Sequence, residues 1–370
     1  MIKVMVVDDS PLVRKIATDI LSADAEISVV ATAAQGEFAL QKLTREQPDV
    51  ITLDMEMPGM GGLETIRQIM RLRPTPIIVL SAHAARGADL TLQALDLGAV
   101  DFVLKPTNSL SGGIPEIARE LVEKVKGAAR IVVNAPQGTE LKREALVSPK
   151  RSAEDAPQMF RYDSGSDEYD LVAIGTSTGG PVALKTVLTK LPVDLPVAVV
   201  VVQHMPPVFT KAFADRLDSC CTIRVKEAED GDAILPGRVL LAPGNWHIRV
   251  SRFGAEPRVL LNQEESVNGH RPSVDVLLHS VALEYAGRAI GVIMTGMGKD
   301  GAAGMRELRK RGGHIIAQDK ESSVIYGMNK EVVQNGDAHE VVSVDAIAGR
   351  IQERLRISLR ESRNHAYAKG

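Results

Sequence analysis

Two stretches of this chain repeat one pattern: a short apolar run, then a longer segment with apolar positions at helical spacing. In the first stretch the runs are Ile2–Val7, Val50–Leu53, Ile77–Leu80 and Val100–Leu104, bounded by Gly, Pro, Asp or Ser. In the second they are Leu171–Ile174, Val197–Val202, Val239–Leu241, Val259–Leu261, Ala289–Met294 and His314–Ala317. Runs of this length read as strands, and the helix-length segments between them make parallel βα units. Ser10 and Pro11 mark the first helix, as N-cap and as an N1 residue that needs no N–H donor. In the second stretch the expected helices are Pro181–Leu191, Pro207–Leu217, Ser273–Tyr285 and Ala302–Arg311.

Between the stretches the pattern fails. From about Arg130 to Glu168, Asn, Pro, Gly, Ser and Asp accumulate without apolar periodicity, as in a tether. A short helix near Glu140–Leu146 is the one element expected there. From Arg356 to Gly370, four basic residues and one acid read as a frayed tail. The expected organisation is α/β throughout. A doubly wound parallel domain spans residues 1–126, a linker 127–168, a second doubly wound α/β domain with a mainly parallel sheet 169–355, and a basic tail 356–370. At roughly 150 residues per domain, a chain of 370 agrees with two domains.

Composition removes several function classes. Lys plus Arg is 44 and Asp plus Glu is 47, for a net charge of −3, so no nucleic-acid scaffold or polybasic membrane binder is expected. The two cysteines are neighbours, Cys220 and Cys221, which rules out a disulfide framework and CxxC metal spacing and suits a reducing compartment. The N-terminus turns acidic at Asp8-Asp9, too early for a signal peptide, and no apolar run approaches the ~20 residues that span a bilayer. The expectation is a cytoplasmic protein without membrane insertion.

Ligands of an open parallel sheet bind at the carboxyl ends of the strands. In the first domain those positions carry Asp8, Asp9, Asp54, Ser81 and Lys105. Each of these acids alone reads equally well as a turn former or N-cap. Together they are hard oxygen ligands suited to Mg²⁺, beside a lysine able to hold an anion. A cis peptide bond is expected at Lys105-Pro106, fixing the direction of the lysine. The set Val7-Asp8-Asp9-Ser10, Leu53-Asp54-Met55-Glu56-Met57-Pro58, Ser81-Ala82 and Leu104-Lys105-Pro106 resembles the receiver domain of response regulators. The resemblance implies a flavodoxin-like fold and phosphorylation of Asp54 by a histidine kinase. It implies Mg²⁺ on Asp8, Asp9, Asp54 and the backbone carbonyl of Glu56, with Ser81 and Lys105 on the phosphoryl oxygens. Gly61 stands where the family commonly has Asp, which implies altered loop rigidity rather than lost chemistry.

In the second domain Gly175-Thr176-Ser177-Thr178-Gly179-Gly180 follows a strand and opens a helix through Pro181. It fits the G-x-S-x-G turn that exposes a nucleophilic serine, and equally a Gly-rich cradle for phosphate or a plain tight turn. His204 and Asp300 also follow apolar strands. A serine needs a base to take its proton, and the imidazole needs a carboxylate to set its tautomer. His247, His270 and His279 compete as bases, and Asp319 competes as the acid. The order Ser, His, Asp excludes the α/β-hydrolases, whose acid precedes the histidine. Zinc spacing is missing, Gly298-Lys299 lacks the following Ser or Thr of a Walker A motif, and the dinucleotide fingerprint is incomplete.

A receiver tethered to a Gly-x-Ser-Thr-Gly-Gly domain is similar to the chemotaxis protein-glutamate methylesterases, the CheB family. Further matches are Gln203-His204-Met205-Pro206-Pro207, Val225-Lys226-Glu227-Ala228, Ala242-Pro243-Gly244, Arg271-Pro272-Ser273-Val274-Asp275 and Thr295-Gly296-Met297-Gly298, spread over about nine-tenths of the chain. The resemblance implies Ser177 as nucleophile, His204 as base and Asp300 as its orienter, with the Met297 N–H and Thr178 as oxyanion and substrate contacts. It implies glutamyl methyl esters, and glutamines, of a chemoreceptor's cytoplasmic helices as substrate, and no cofactor in the catalytic domain. It further implies a receiver that covers the active-site edge until Asp54 is phosphorylated. Lys299 stands where relatives often have Asn, a solvent-facing cation able to tune recognition of an acidic substrate. The reading from another class is a response regulator whose second domain binds a ligand or partner without catalysis.

Overall fold

The computed structural model describes residues 1–81, 85–105, 114–131, 133, 169–252 and 256–368. Residues 134–168, which hold most of the expected tether and the helix at Glu140–Leu146, lie outside them, as does Pro106. The chain divides into two compact units, Met1–Glu144 and Ala145–Gly370.

The first unit alternates β1 (Ile2–Val7), α1 (Pro11–Ser22), β2 (Ile27–Ala33), α2 (Gly36–Glu46), β3 (Val50–Asp54), α3 (Gly61–Leu72), β4 (Ile77–Ser81), α4 (Ala85–Asp96), β5 (Asp101–Leu104) and α5 (Ile114–Ala128). The Ser10 hydroxyl accepts the Val13 N–H at 3.4 Å, and Pro11 opens the helix, as the sequence predicts. The sheet runs β2-β1-β3-β4-β5 and is parallel throughout. Its order reverses between β1 and β3, so the loops after these strands flank the crevice where doubly wound sheets bind ligands. β2 is absent from the sequence-based expectation. It is an edge strand, mostly half-buried, and its Ser28, Ala31 and Thr32 interrupt the apolar run that marks a central strand.

The second unit contains β6 (Leu171–Thr176), α6 (Gly180–Leu188), β7 (Ala198–Gln203), α7 (Pro207–Cys220), β8 (Arg224–Glu227), β9 (Arg238–Leu241), β10 (His247–Ser251) and β11 (Arg258–Asn262). It continues with α8 (Val274–Tyr285), β12 (Ala289–Ile293), α9 (Ala302–Lys310), β13 (His314–Gln318), α10 (Met328–Gln334), β14 (Glu340–Val342) and α11 (Val344–Ala368). Seven strands form one parallel sheet in the order β14-β13-β12-β6-β7-β9-β8. The central strands β6, β7 and β12 are buried along their whole length, which is why they read as unbroken apolar runs.

Two expectations need correction. Val259–Leu261 is not a strand of the parallel sheet: it lies within β11, which pairs antiparallel with β10 in a separate ribbon. Alternation decides this, since Val259 is buried while Arg258 and Leu260 face solvent, a one-sided strand rather than a central one. The tail past Arg356 is helical, because α11 continues to Ala368. Residues 356–368 contain Ile, Leu, Arg, Glu and Ala without Gly or Pro, so nothing local stops the helix.

Where β13 begins, His314 Nε2 lies 2.7 Å from Glu340 Oε1, and Glu340 also receives Arg354 Nε at 2.8 Å and Arg350. Burial pushes the Glu340 carboxyl up, but the hydrogen bonds from Arg350, Arg354 and His314 outweigh it and hold it down at about 2. Burial, joined by the charges of Arg354 and Arg350, holds the His314 imidazole below its ordinary value despite Glu340. The unfolded chain therefore binds this proton more tightly than the folded one, so the contribution is complete above about pH 6.5 and is lost as pH falls through the folded value. Melting temperature followed by circular dichroism is expected to fall on acidification below about pH 6.5, with a shallower slope in His314→Gln. Parallel slopes in the two proteins would place the acid sensitivity elsewhere.

Candidate active site

Strand register builds the catalytic edge. Thr176 of β6 pairs with Gln203 of β7, so Ser177 and His204 are the next residues on neighbouring parallel strands, about 5 Å apart in the sheet direction. The turn around Ser177 is fixed by backbone bonds. The Ser177 N–H donates to the Thr295 carbonyl at 3.0 Å, and its own carbonyl accepts from the Gly180 N–H at 2.8 Å and Gln203 Nε2 at 2.9 Å. Gly296 is needed for close approach: a Cβ there would stand 2.8 Å from the Ser177 Cβ and 2.3 Å from Met328 Sδ. Ser177 is nearly buried, at 9% exposure.

The imidazole and the acid are joined directly. His204 Nε2 lies 2.8 Å from Asp300 Oδ2, while His204 Nδ1 is buried with no hydrogen-bond partner among the described residues. Asp300 is 1% exposed and saturated with donors. Its Oδ1 accepts Ser273 Oγ at 2.8 Å, Asn268 Nδ2 at 2.9 Å and the Asp275 N–H at 3.2 Å, and its Oδ2 also accepts the Val274 N–H at 2.7 Å. The Val274 and Asp275 donors open α8, so the carboxylate sits at the positive end of a helix. Burial pushes the Asp300 carboxyl up, but the bond and charge of His204, with Asn268 and Ser273, hold it well below the usual carboxylate range. An acid kept ionised in this way fixes the proton on Nε2 and leaves Nδ1 as the basic atom. The Thr178 and Met297 N–H groups, one residue on from Ser177 and from Gly296, donate no hydrogen bond among the described residues.

At the carboxyl edge of the other sheet, Asp8, Asp9 and Asp54 each offer an oxygen within 4.8 Å of the others. Lys105 Nζ lies 3.0 Å from Asp8 Oδ2 and 2.7 Å from Asp54 Oδ2. Burial first, then the Asp54 charge, raises the Asp8 carboxyl above its ordinary value. One lysine thus leaves the acids under-neutralised, and a hard divalent cation suits such a donor set. Ser81, buried at the end of β4, accepts Thr91 Oγ1 at 2.7 Å.

Both domains match known families. Residues 4–111 match the response regulator receiver domain and residues 172–351 the CheB methylesterase domain. A protein-glutamate methylesterase/protein-glutamine glutaminase 3 of Burkholderia lata is 45% identical over 96% of this chain and 96% of its own length. A relative of Symbiobacterium thermophilum, also named protein-glutamate methylesterase/protein-glutamine glutaminase, is 47% identical over 95% of this chain and 96% of its own. The chain belongs to the CheB family. The crystal structure of the Thermotoga maritima CheB methylesterase catalytic domain is 41% identical, covering 51% of this chain and 99% of that one with a TM-score of 0.49.

Within this CheB-family fold one competing base, His247, and the competing acid, Asp319, have other partners. His247 is fully buried and structural, with Nδ1 accepting the Ser273 N–H at 3.2 Å and Nε2 lying 3.0 Å from the Glu265 carbonyl. Asp319 caps its own turn, accepting the Ser322 hydroxyl at 2.6 Å and N–H at 2.9 Å. His279 is exposed on α8. His270 does reach the site: its ring stacks on that of His204, with centroids 3.8 Å apart and planes 13° from parallel. Lys299 is exposed beside Asp300, as expected. Gly61 has φ 70°, so the departure from the receiver pattern eases the backbone into α3.

Sequence reasoning assigned no role to Gln203, Asn268, Ser273 or Thr295. Gln203 braces the serine turn, and Thr295 bridges from its Oγ1 to the Thr178 carbonyl at 2.8 Å. The signal available was their adjacency to the recognised loops. The bonds that tie Gln203 to Ser177, Asn268 and Ser273 to Asp300, and Thr295 to Thr178 span 26 to 117 residues, so spacing alone does not show them.

Proposed function

We propose that this protein is a phosphorylation-activated serine hydrolase that demethylates glutamyl methyl esters, and deamidates glutamines, on chemoreceptor cytoplasmic helices. The observation that carries this reading is the Asp300-bound imidazole whose free Nδ1 sits one strand from Ser177. Ser177 Oγ attacks the ester carbonyl as His204 Nδ1 takes its proton. The imidazolium returns that proton to the leaving methoxide, and methanol departs from a glutamyl-serine ester. Water, deprotonated by the same nitrogen, attacks that ester, frees glutamate and restores the serine hydroxyl. With glutamine the leaving group takes the proton as ammonia. The Thr178 and Met297 N–H groups are the proposed donors to the tetrahedral oxyanion, each worth about 100- to 1000-fold in rate. The Ser177–His204 bond is open in the resting site, as catalytic hydrogen bonds often are before substrate closes them.

The receiver supplies the switch. Asp54 takes a phosphoryl group from a histidine kinase, with Lys105 and Ser81 on its oxygens. Asp8, Asp9, Asp54 and the Glu56 carbonyl would hold Mg²⁺, which when bound neutralises charge on the phosphoryl oxygens. A phosphoryl group adds roughly 1.5 to 2 negative charges, enough to bias a two-state element and relieve inhibition of the catalytic unit. The setting is the cytoplasm. Among the described residues no helix is long and apolar enough to cross a membrane.

The test is methanol release from methylated chemoreceptor membranes, with the full chain, Mg²⁺ and a small acyl phosphate as phosphodonor. Asp54→Asn is expected to remove the whole rise in rate that the phosphodonor produces in wild type. A variant that still responds fully would defeat the switch while leaving the esterase in place.

A further inference from the structure

Asp275 is a buried acid that the chemistry above leaves unused. It is 6% exposed, and its Oδ1 accepts the Gly304 N–H at 2.7 Å. Its Oδ2 accepts Asn268 Nδ2 at 2.8 Å, and the same nitrogen donates to Asp300 Oδ1 at 2.9 Å. One amide group therefore gives both hydrogens to two buried carboxylates, one of them the partner of His204. We propose that Asn268 is a positioning residue for proton transfer, cross-linking Asp300 to Asp275 so that Asp300 keeps its Oδ2 turned to the imidazole. The proposal rests on the Ser177–His204–Asp300 reading.

The bland explanation is that Asn268-Gly269 simply makes a turn. It does make one: Val267 and His270 exchange backbone bonds of 3.1 and 3.0 Å around φ values of 55° and 81°, a two-residue hairpin of the Asn-Gly kind. That accounts for the backbone but not for the side chain, since Gly or Asp tolerates the same left-handed turn. The side chain does something neither of these can, which is to place an uncharged donor between two anions. A lysine there would neutralise Asp300, and an acid would repel it. Burial, with the Asp300 charge, already raises the Asp275 carboxyl against the pull of Gly304 and Asn268. Without the amide, Asp275 is free to take up a proton and donate it to Asp300 Oδ1, weakening the anion that His204 depends on. The other titratable groups around this point are His204, His270 stacked on it, exposed Lys299 and exposed His279 on α8.

Two substitutions separate positioning from turn-making. Asn268→Gly keeps the turn and removes the amide. The exchanged pair Asn268→Asp with Asp275→Asn restores an amide–carboxylate bond between positions 268 and 275. It also faces Asp300 with a new carboxylate. Methanol release from methylated chemoreceptor membranes by the full, phosphodonor-activated chain is expected to show kcat about ten- to a hundredfold lower in Asn268→Gly, with KM little changed. The exchanged pair should be no faster than Asn268→Asp alone. Wild-type kcat in Asn268→Gly, or recovery of the wild-type rate in the exchanged pair, would overturn the proposal and leave only a structural tie. If the exchanged pair does not fold, Asn268→Gly decides alone. Ser177→Ala in the same assay keeps the two readings apart. Its loss with full activity in Asn268→Gly rejects only the positioning role, whereas wild-type turnover without Ser177 rejects both.

Discussion

Ser177→Ala is expected to reduce methanol release by on the order of 10⁵- to 10⁶-fold, below detection in most assays. In the proposed mechanism the serine Oγ forms the covalent bond, and no neighbour offers a replacement. The Cys220–Cys221 pair lies at the end of α7 and Asp319 is held in its own turn. The backbone should not notice, since the Ser177 N–H and carbonyl make the structural bonds and the side chain only carries the reaction. Unchanged circular dichroism and an unchanged melting temperature would accompany the loss. The same variant tests the non-catalytic reading of the second domain. A cradle of backbone N–H groups survives removal of a hydroxyl, so a Ser177→Ala protein with unimpaired output would point to ligand or partner binding instead.

Asp300→Asn is expected to lower kcat by about 10³- to 10⁴-fold. The amide must put its NH₂ where one of two buried oxygens now accepts. At the Oδ2 position it faces His204 Nε2 and the Val274 N–H, and the imidazole can answer only by moving its proton to Nδ1, the wrong tautomer for a base. At the Oδ1 position it faces the Asn268 amide and the Asp275 N–H, which already donate. Either placement removes the negative charge that stabilises the imidazolium formed during attack. The loss should fall on kcat rather than KM, measured from initial rates of methanol release over a range of receptor concentrations. A drop of less than tenfold would mean that His204 takes its orientation from elsewhere, with the stacked His270 the first place to look.

Much of the site was legible because strand ends are legible. In parallel sheets the central strands are short apolar runs, and the residue after each run lies at the carboxyl edge, so Asp8, Asp54, Ser177, His204 and Asp300 could be picked out by position. The elements that escaped were those without such runs. β8 and β14 lie at the edges of the seven-stranded sheet with mixed burial, and β10 belongs to the antiparallel ribbon. Ambiguity over the acid also came from this rule, since Asp319 follows a strand as well as Asp300 does.

By itself, the sequence determined the two α/β units, the polar segment between them and the residue types present at each catalytic edge. Periodicity, turn residues and motif spacing are local properties of the chain. Only the tertiary structure decided which imidazole meets which carboxylate, because that depends on strand order. β12 packs beside β6 although their paired residues, Ala289 with Leu171 and Ile293 with Gly175, lie 118 positions apart along the chain. It also decided that Asn268 spans two acids and that His270 stacks on His204. A two-residue turn looks the same in any sequence, and what its side chain touches is set by the helix and loop that fold against it.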